Sequence, residues 1–317
     1  MKNVEHIFII NPAAGATDST RMIEEAIAKS ESPSSCSVYC TKGPGDATSY
    51  VAAKCAQSSS PVRFYACGGD GTLNEVVNGA VNYPHASVGC FPCGSGNDFV
   101  KYYGGAAGFL DIDNQVNGEE HSIDLILVDN KYCINVCNFG FDTAVLKTME
   151  KVKRYKLFSG KRAYFVGVAR ALLRSMKTAC TVIVDGEQIS RDNILLCTIS
   201  NGRYVGSSFK CAPRSENDDG LLEVCLVNPL SRLTFIKLIK FYTRGEHLDN
   251  PKFKDLIVYR RGKKISIEGD SDFAYVLDGE LSNKAHADIE VVEKAINFIV
   301  PRGIKVENHR AAFAVNQ

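Results

Sequence analysis

Cys67-Gly68-Gly69-Asp70-Gly71-Thr72-Leu73-Asn74-Glu75 sets three glycines, a carboxylate and a hydroxyl at the junction of two periodicities. Before it, Val62-Arg63-Phe64-Tyr65-Ala66-Cys67 is short, mostly apolar and β-prone. After it, Leu73, Val76, Val77 and Ala80 recur at helical spacing. The glycines therefore stand where a strand ends and a helix begins. Glycine lets a backbone approach a ligand closely, so successive N–H groups and the helix N-terminus can face phosphate oxygens. Asp70, an anion, belongs there only with a metal ion or a substrate hydroxyl in between. Without other signals, the same residues read as a tight turn capped by Thr72.

Two further segments repeat the arrangement. Val88-Gly89-Cys90-Phe91-Pro92 runs into Cys93-Gly94-Ser95-Gly96-Asn97-Asp98-Phe99, and Ile7-Phe8-Ile9-Ile10 runs into Asn11-Pro12-Ala13-Ala14-Gly15. Strands ending in small or polar turns fit one edge of a parallel sheet, where ligands bind at the carboxyl ends of strands.

Together with Thr41 before Gly45-Asp46-Ala47, with Asp218-Asp219-Gly220-Leu221-Leu222-Glu223 and with Asp278-Gly279-Glu280, these segments resemble the soluble bacterial diacylglycerol kinase family. That family shares its catalytic domain with eukaryotic diacylglycerol, ceramide and sphingosine kinases. The resemblance covers most of the chain. One departure is clear: Ala16 follows Gly15 where the family usually carries Lys or Arg.

The resemblance implies an N-terminal α/β domain of the NAD kinase and phosphofructokinase kind, followed by a β-sandwich domain. The residue pattern agrees. Strands at 4–10, 36–41, 62–67 and 87–91 alternate with helices at 18–30, 45–57 and 72–80, as in a layered α/β domain with a parallel sheet. Beyond Asn117-Gly118 come short strands at 122–129, 131–138, 179–185, 193–200, 221–227, 264–268, 273–278 and 286–292, the texture of a largely antiparallel sandwich. Helical patterns occupy much of 141–177, and 231–244. The expected organisation is a nucleotide-binding domain over 1–119, a lipid-acceptor domain over 120–294, and a segment 295–317 that the resemblance returns to the first domain.

Composition excludes several classes. The 317 residues exceed the usual size of a single core, which favours two domains. With 37 basic and 36 acidic residues, net charge offers no argument for nucleic acid, and none is expected as a partner. No apolar run reaches the ~18 residues of a membrane span, and Met1-Lys2-Asn3-Val4-Glu5-His6 lacks a signal-peptide core. The expected location is the cytoplasm, peripheral to the inner face of the membrane; a homodimer stays open. The 12 cysteines are scattered through apolar strands and read as reduced, buried thiols. Cys90-Phe91-Pro92-Cys93 has redox-motif spacing, but it abuts the Gly-Ser-Gly turn and no second pair with zinc spacing accompanies it.

For the chemistry, phosphoryl transfer needs donors around the phosphates, Mg2+ to offset charge, and a carboxylate to accept a hydroxyl proton. The expected ATP donors are the amides of Gly68, Gly69, Asp70, Gly71, Thr72, Leu73 and Asn74, with side chains from Asn11, Thr41, Thr72 and Ser95. The resemblance makes Glu280 the general base; the residues leave open Asp278 as the group that orients it, Asp70 as a metal or acceptor partner, and either of them as the base in its place. The resemblance further implies a Mg2+ site from the Asp219 carboxylate with backbone carbonyls near Glu216 and Leu221, which suits oxygen coordination. Without the resemblance, Asp278-Gly279-Glu280 is an ordinary turn and Asp218-Asp219 a solvated loop.

Across 147–177, Lys147, Lys151, Lys153, Arg154, Lys156, Lys161, Arg162, Arg170, Arg174 and Lys177 oppose only Glu150, with Tyr155, Phe158, Tyr164 and Phe165 interleaved. This is either a solvated helix face or a platform on an anionic leaflet that would bring the enzyme to its lipid. Two other readings stand beside a lipid kinase: a kinase of a soluble metabolite related to NAD kinase, and a silent lipid-binding protein, which Ala16 makes thinkable.

Overall fold

The computed structural model describes residues 4–153, 176–190, 192–271 and 273–306. The chain divides into two compact units: one of 1–125, 216–220 and 292–317, the other of 126–215 and 221–291.

The first unit is built on parallel strands. Strands β1 (Glu5–Ile10), β2 (Cys36–Cys40), β3 (Val62–Gly68) and β4 (Ala86–Pro92) lie in the order β2, β1, β3, β4. Helices α1 (Thr20–Ala28), α2 (Asp46–Gln57) and α3 (Asp70–Ala80) make the crossovers that parallel pairing requires. Side-chain alternation sorts the layers. Phe8, Ile10, Tyr65, Cys67 and Phe91 pack with Ile23 and Ile27 of α1 and with Ile112 of the short helix α4 (Ile112–Val116). The alternate residues Ile7, Ile9, Phe64 and Ala66 are equally buried and serve the opposite face, where α3 lies against β3 and α2. Residues 292–306 belong to this unit, and Asn297 and Phe298 pair in parallel with Ser87 and Val88.

The second unit is a sandwich. The end of strand β5 (Glu119–Val128), strands β6 (Lys131–Cys133), β7 (Val136–Gly140), β8 (Thr178–Val184), β9 (Glu187–Gln188), β10 (Asn193–Ile194), β11 (Leu196–Ser200), β12 (Leu222–Val227), β13 (Ile257–Gly262), β14 (Lys264–Gly269), β15 (Tyr275–Leu277), β16 (Glu280–Ser282) and the first part of β17 (His286–Val300) supply it. One sheet, in the order β13, β12, β11, β7, β15, β16, is antiparallel throughout. Its Cys137, Phe139, Ile199, Leu222 and Val224 meet Val182, Ile265, Ile267 and Ile289 of the facing strands in a buried apolar core. Its other face is covered by Phe141 and Val145 of α5 (Phe141–Lys153) and by Phe235, Leu238 and Tyr242 of α6 (Arg232–Arg244).

Three local details depart from the sequence reading. The strand expected at 131–138 breaks into β6 and β7, because the N–H groups of Ile134, Asn135 and Val136 go to the Asp278 carboxylate. Strand β13 went unread because Arg260 and Arg261 interrupt its apolar run; the buried Glu223 carboxylate on β12 takes up Arg261 at 2.8 Å. Helix α3 begins at Asp70 with Gly69 as its cap residue, so Thr72 lies inside the helix and caps nothing. The basic platform cannot be followed: 154–175 lie outside the described residues.

Candidate active site

The loops of the first unit emerge together because the strands end in register. Ile10 stands beside Cys40 and Cys67, and Gly68 beside Pro92, so the turns after β1, β2, β3 and β4 share one edge of the sheet. The Cys93 and Gly94 N–H groups both donate to the Gly68 carbonyl, at 2.9 and 3.1 Å. A Cβ on Gly94 would run into the Gly69 backbone, and one on Gly15 would meet the Cys93 carbonyl. Three turns that looked alike in sequence thus touch one another. Asn97 closes the third on itself, accepting the Gly94 N–H at 3.1 Å and donating to the Gly94 carbonyl at 2.8 Å.

The side chains expected at the nucleotide are committed to different degrees. Asn11 Nδ2 donates to Thr72 Oγ1 at 3.1 Å, and Asn11 Oδ1 accepts the Ala13 N–H at 3.0 Å. Thr41 N–H donates to the Ile10 carbonyl at 2.8 Å, which sets the turn after β2 beside that after β1. Ser95 is exposed. Within α3 the Leu73 N–H already donates to the Gly69 carbonyl at 3.1 Å, so Leu73 offers no amide to a ligand. The first turn of a helix leaves its leading N–H groups without an intrahelical acceptor, and here those are Asp70, Gly71 and Thr72.

Asp70 is not a free carboxylate. Its Oδ1 accepts the N–H of Asp98 at 2.6 Å and that of Phe99 at 3.4 Å. Burial pushes its carboxyl above the ordinary value and the neighbouring Asp98 adds to this, while the two N–H groups oppose them. Glu75 is a residue the sequence reading passed over. Its carboxylate reaches from α3 to accept the N–H groups of Gly45 at 2.9 Å and Ala47 at 3.3 Å, caps α2 and so holds the turn after β2. The reducible-pair reading of Cys90 and Cys93 finds no support. All 12 cysteines are free thiols, and burial drives both of these upward, away from thiolate character.

The acidic turn 216–220 belongs to the first unit. Glu216 is buried and accepts the Tyr102 hydroxyl at 2.8 Å; Asn217 donates to the Tyr103 hydroxyl at 2.9 Å. Asp124, fully buried, accepts the N–H groups of Gly220 at 2.7 Å and Lys294 at 2.8 Å. Burial raises the Asp124 carboxyl, and the charges of Asp219 and Asp218 raise it further. Carboxylates that repel one another over oxygen-rich backbone are a donor set a hard cation fits. Among the described residues no three His, Cys, Asp or Glu side chains gather as a metal cluster, so a cation at this turn would have to draw on the Asp219 carboxylate with backbone carbonyl oxygens.

In the second unit, β15 and β16 are joined by the two-residue turn Asp278-Gly279, both with positive φ, at +44° and +91°. The Asp278 carboxylate accepts three consecutive N–H groups, from Ile134 at 2.9 Å, Asn135 at 3.2 Å and Val136 at 2.9 Å. Glu280, two residues on, is exposed, and among the described residues its carboxylate has no hydrogen-bond or ion-pair partner. The two acids of one motif are therefore unlike: one is consumed by backbone, the other is presented. A groove of about 470 Å³ in this unit, lined by Leu127, Asp129, Ile183, Lys264 and Asp288 among others, includes none of the candidate residues.

Family models match the two halves of the chain separately. The model for the diacylglycerol kinase catalytic domain matches residues 5–128, and that for the YegS C-terminal NAD kinase beta sandwich-like domain matches residues 135–300, more than half of the chain. This chain belongs to the diacylglycerol kinase-like family of lipid kinases. A diacylglycerol kinase of Staphylococcus carnosus (strain TM300) is 27% identical over 300 residues, which span 94% of this chain and 95% of that protein. One from Staphylococcus saprophyticus is 28% identical over 302 residues, spanning 94% and 96%. The crystal structure of a diacylglycerol kinase from Bacillus anthracis str. Sterne superposes with a TM-score of 0.69 at 21% identity, over 95% of this chain and 98% of that one. This family member carries the same fold, a parallel α/β unit and an antiparallel sandwich. No helix among its described residues is long and apolar enough to cross a membrane.

Proposed function

We propose that this family member transfers the γ-phosphate of ATP to the hydroxyl of a lipid, diacylglycerol first, giving phosphatidic acid. One observation carries the reading: the turns after β1, β3 and β4 lock together at the carboxyl edge of the sheet, at the N-terminus of α3. There the N–H groups of Gly69, Asp70, Gly71 and Thr72 take the phosphates, helped by the dipole of α3, and Asn11, Thr41 and Ser95 frame the nucleotide.

Glu280 is the general base. The lipid oxygen attacks the γ-phosphorus, the bond to the bridging oxygen of ADP breaks, and the hydroxyl proton passes to the Glu280 carboxylate. Asp278 acts through Glu280 by clamping the turn that carries it. Asp70 ties the second and third turns together and lends its remaining oxygen to metal or acceptor. The Asp219 carboxylate with the carbonyls of Glu216 and Leu221 would hold Mg2+, which when bound would supply positive charge to brace that turn and offset phosphate charge. The protein works in the cytoplasm, peripheral to the membrane.

Labelled ATP incubated with a total lipid extract tests the reading. Label in phosphatidic acid supports it. Label confined to a water-soluble metabolite such as NAD overturns the acceptor, and no transfer to either by folded protein indicates a silent homologue.

A further inference from the structure

Helix α6 is well specified at both ends. Ser231 Oγ accepts the Thr234 N–H at 3.2 Å, and Gly245 stops the helix at φ +75°. Its inward face is settled by Phe235, Leu238 and Tyr242, spaced by three and four residues and buried under the six-stranded sheet. The outward face is unusual. Leu233 is 75% exposed and Ile236 60%, the two most exposed large apolar side chains among the described residues, and they stand one turn apart. Lys237, Lys240 and Arg244 share that face and are exposed; among the described residues none of them makes an ion pair. The helix holds no acidic residue at all. A merely solvated face is normally laced with Glu–Lys pairs four residues apart and does not display adjacent leucine and isoleucine.

We propose that the outer face of α6 docks on an anionic membrane surface, with Leu233 and Ile236 entering the headgroup boundary and Lys237, Lys240 and Arg244 against lipid phosphates. Charge decides the occupant. Cations without acids complement an anionic leaflet, and apolar side chains between them are what such an interface buries. This role rests on the lipid-kinase reading for its purpose, since an enzyme that draws its acceptor from a bilayer must sit on one. The residues of this face are distinct in sequence from the basic segment 147–177, so binding by that segment alone predicts no effect of changes in α6.

The experiment is co-sedimentation of the full chain with phosphatidylcholine vesicles, with and without phosphatidylglycerol, in the absence of ATP. Wild-type protein is expected to bind the anionic vesicles, and salt to release it. The Lys237→Gln/Lys240→Gln variant should lose about 30-fold in partitioning, tenfold for each loss of 1.4 kcal/mol and ~1 kcal/mol for each cation. Leu233→Ser/Ile236→Ser should bind weakly to both vesicle types. Both variants should retain turnover of detergent-dispersed lipid. Wild-type protein that ignores vesicles, or variants that bind as wild type does, would overturn the proposal. So would a dimer-to-monomer change on sedimentation of Leu233→Ser/Ile236→Ser with vesicle binding unchanged. Vesicle binding that follows these expectations in a protein phosphorylating no lipid would leave the docking face standing and remove the acceptor assignment alone.

Discussion

Asp70 Oδ1 lies 2.6 Å from the backbone nitrogen of Asp98, so the carboxylate that opens α3 also secures the turn after β4. Its removal is therefore a structural as well as a chemical change. Asp70→Ala should cost about 1–3 kcal/mol of stability, the penalty for orphaned buried N–H groups, along with activity. Asp70→Asn should recover the stability, matching wild type in acid and exceeding it at neutral pH, with little of the activity, because an amide oxygen still accepts but carries no charge. Denaturant unfolding beside turnover checks this.

The same residue gives a pH dependence with a defined sign. A carboxyl whose folded value is raised above its ordinary 3.8 binds more protons folded than unfolded just above that pH. The Asp70 contribution to stability therefore falls as pH rises through that window, by up to ~1.4 kcal/mol per pH unit. The difference in stability between wild type and Asp70→Asn should shrink on acidification toward 3.8 and grow above it; a difference independent of pH would refute the burial of this group.

Two histidines act in the opposite direction. Burial depresses His6 and His247 from 6.5 to about 4 each, with Arg63 adding to the effect at His6. Both must stay neutral in the fold, so stability present above 6.5 is lost as pH falls toward 4, with a slope of ~1.4 kcal/mol per pH unit for each proton taken up on unfolding. His247→Gln should flatten that slope by about one proton. Midpoints of urea unfolding measured across the window read it directly.

Gly71 separates ligand approach from packing. A Cβ there meets nothing within 4 Å, whereas one on Gly94 collides with the Gly69 backbone. Gly71→Ala should keep or raise the melting temperature, by up to about 1 kcal/mol of helix propensity, yet weaken ATP if phosphate lies against that backbone. Gly94→Ala should lose stability and ATP affinity together. An unchanged KM for ATP in Gly71→Ala would move the phosphates elsewhere.

Glu280 and Asp278 should fail differently. Glu280→Gln is expected to lower kcat by ~10²–10⁴ with the KM for ATP and the melting temperature nearly unchanged, as for a group used only in the chemical step. Asp278→Ala should lower the melting temperature, because three backbone N–H groups lose their acceptor. If chemistry limits the rate and Glu280→Gln keeps more than about a tenth of kcat, the base lies elsewhere.

Much of the fold was legible because it follows from local pattern. Apolar alternation placed β1, β3 and β4 within a residue or two, and glycine-rich turns after strands pointed to one edge of a parallel sheet. Those signals are set by backbone sterics and by the spacing of apolar side chains, which neighbours in sequence already carry. Strand β13 was hidden for the converse reason. Its arginines become acceptable in a sheet only once Glu223, distant along the chain, neutralises one of them.

The site divides along the same line. Sequence by itself determined which residue types stand at the turns, and through them the family. Only the tertiary structure decided which carboxylates are spent and which are offered: Asp70 on the turn after β4, Glu75 on the start of α2, Asp278 on the backbone before β7, and Glu280 left exposed. A carboxylate's chemistry depends on which N–H groups reach it. Those groups arrive from segments 28 to 144 residues away, so no local pattern could announce them.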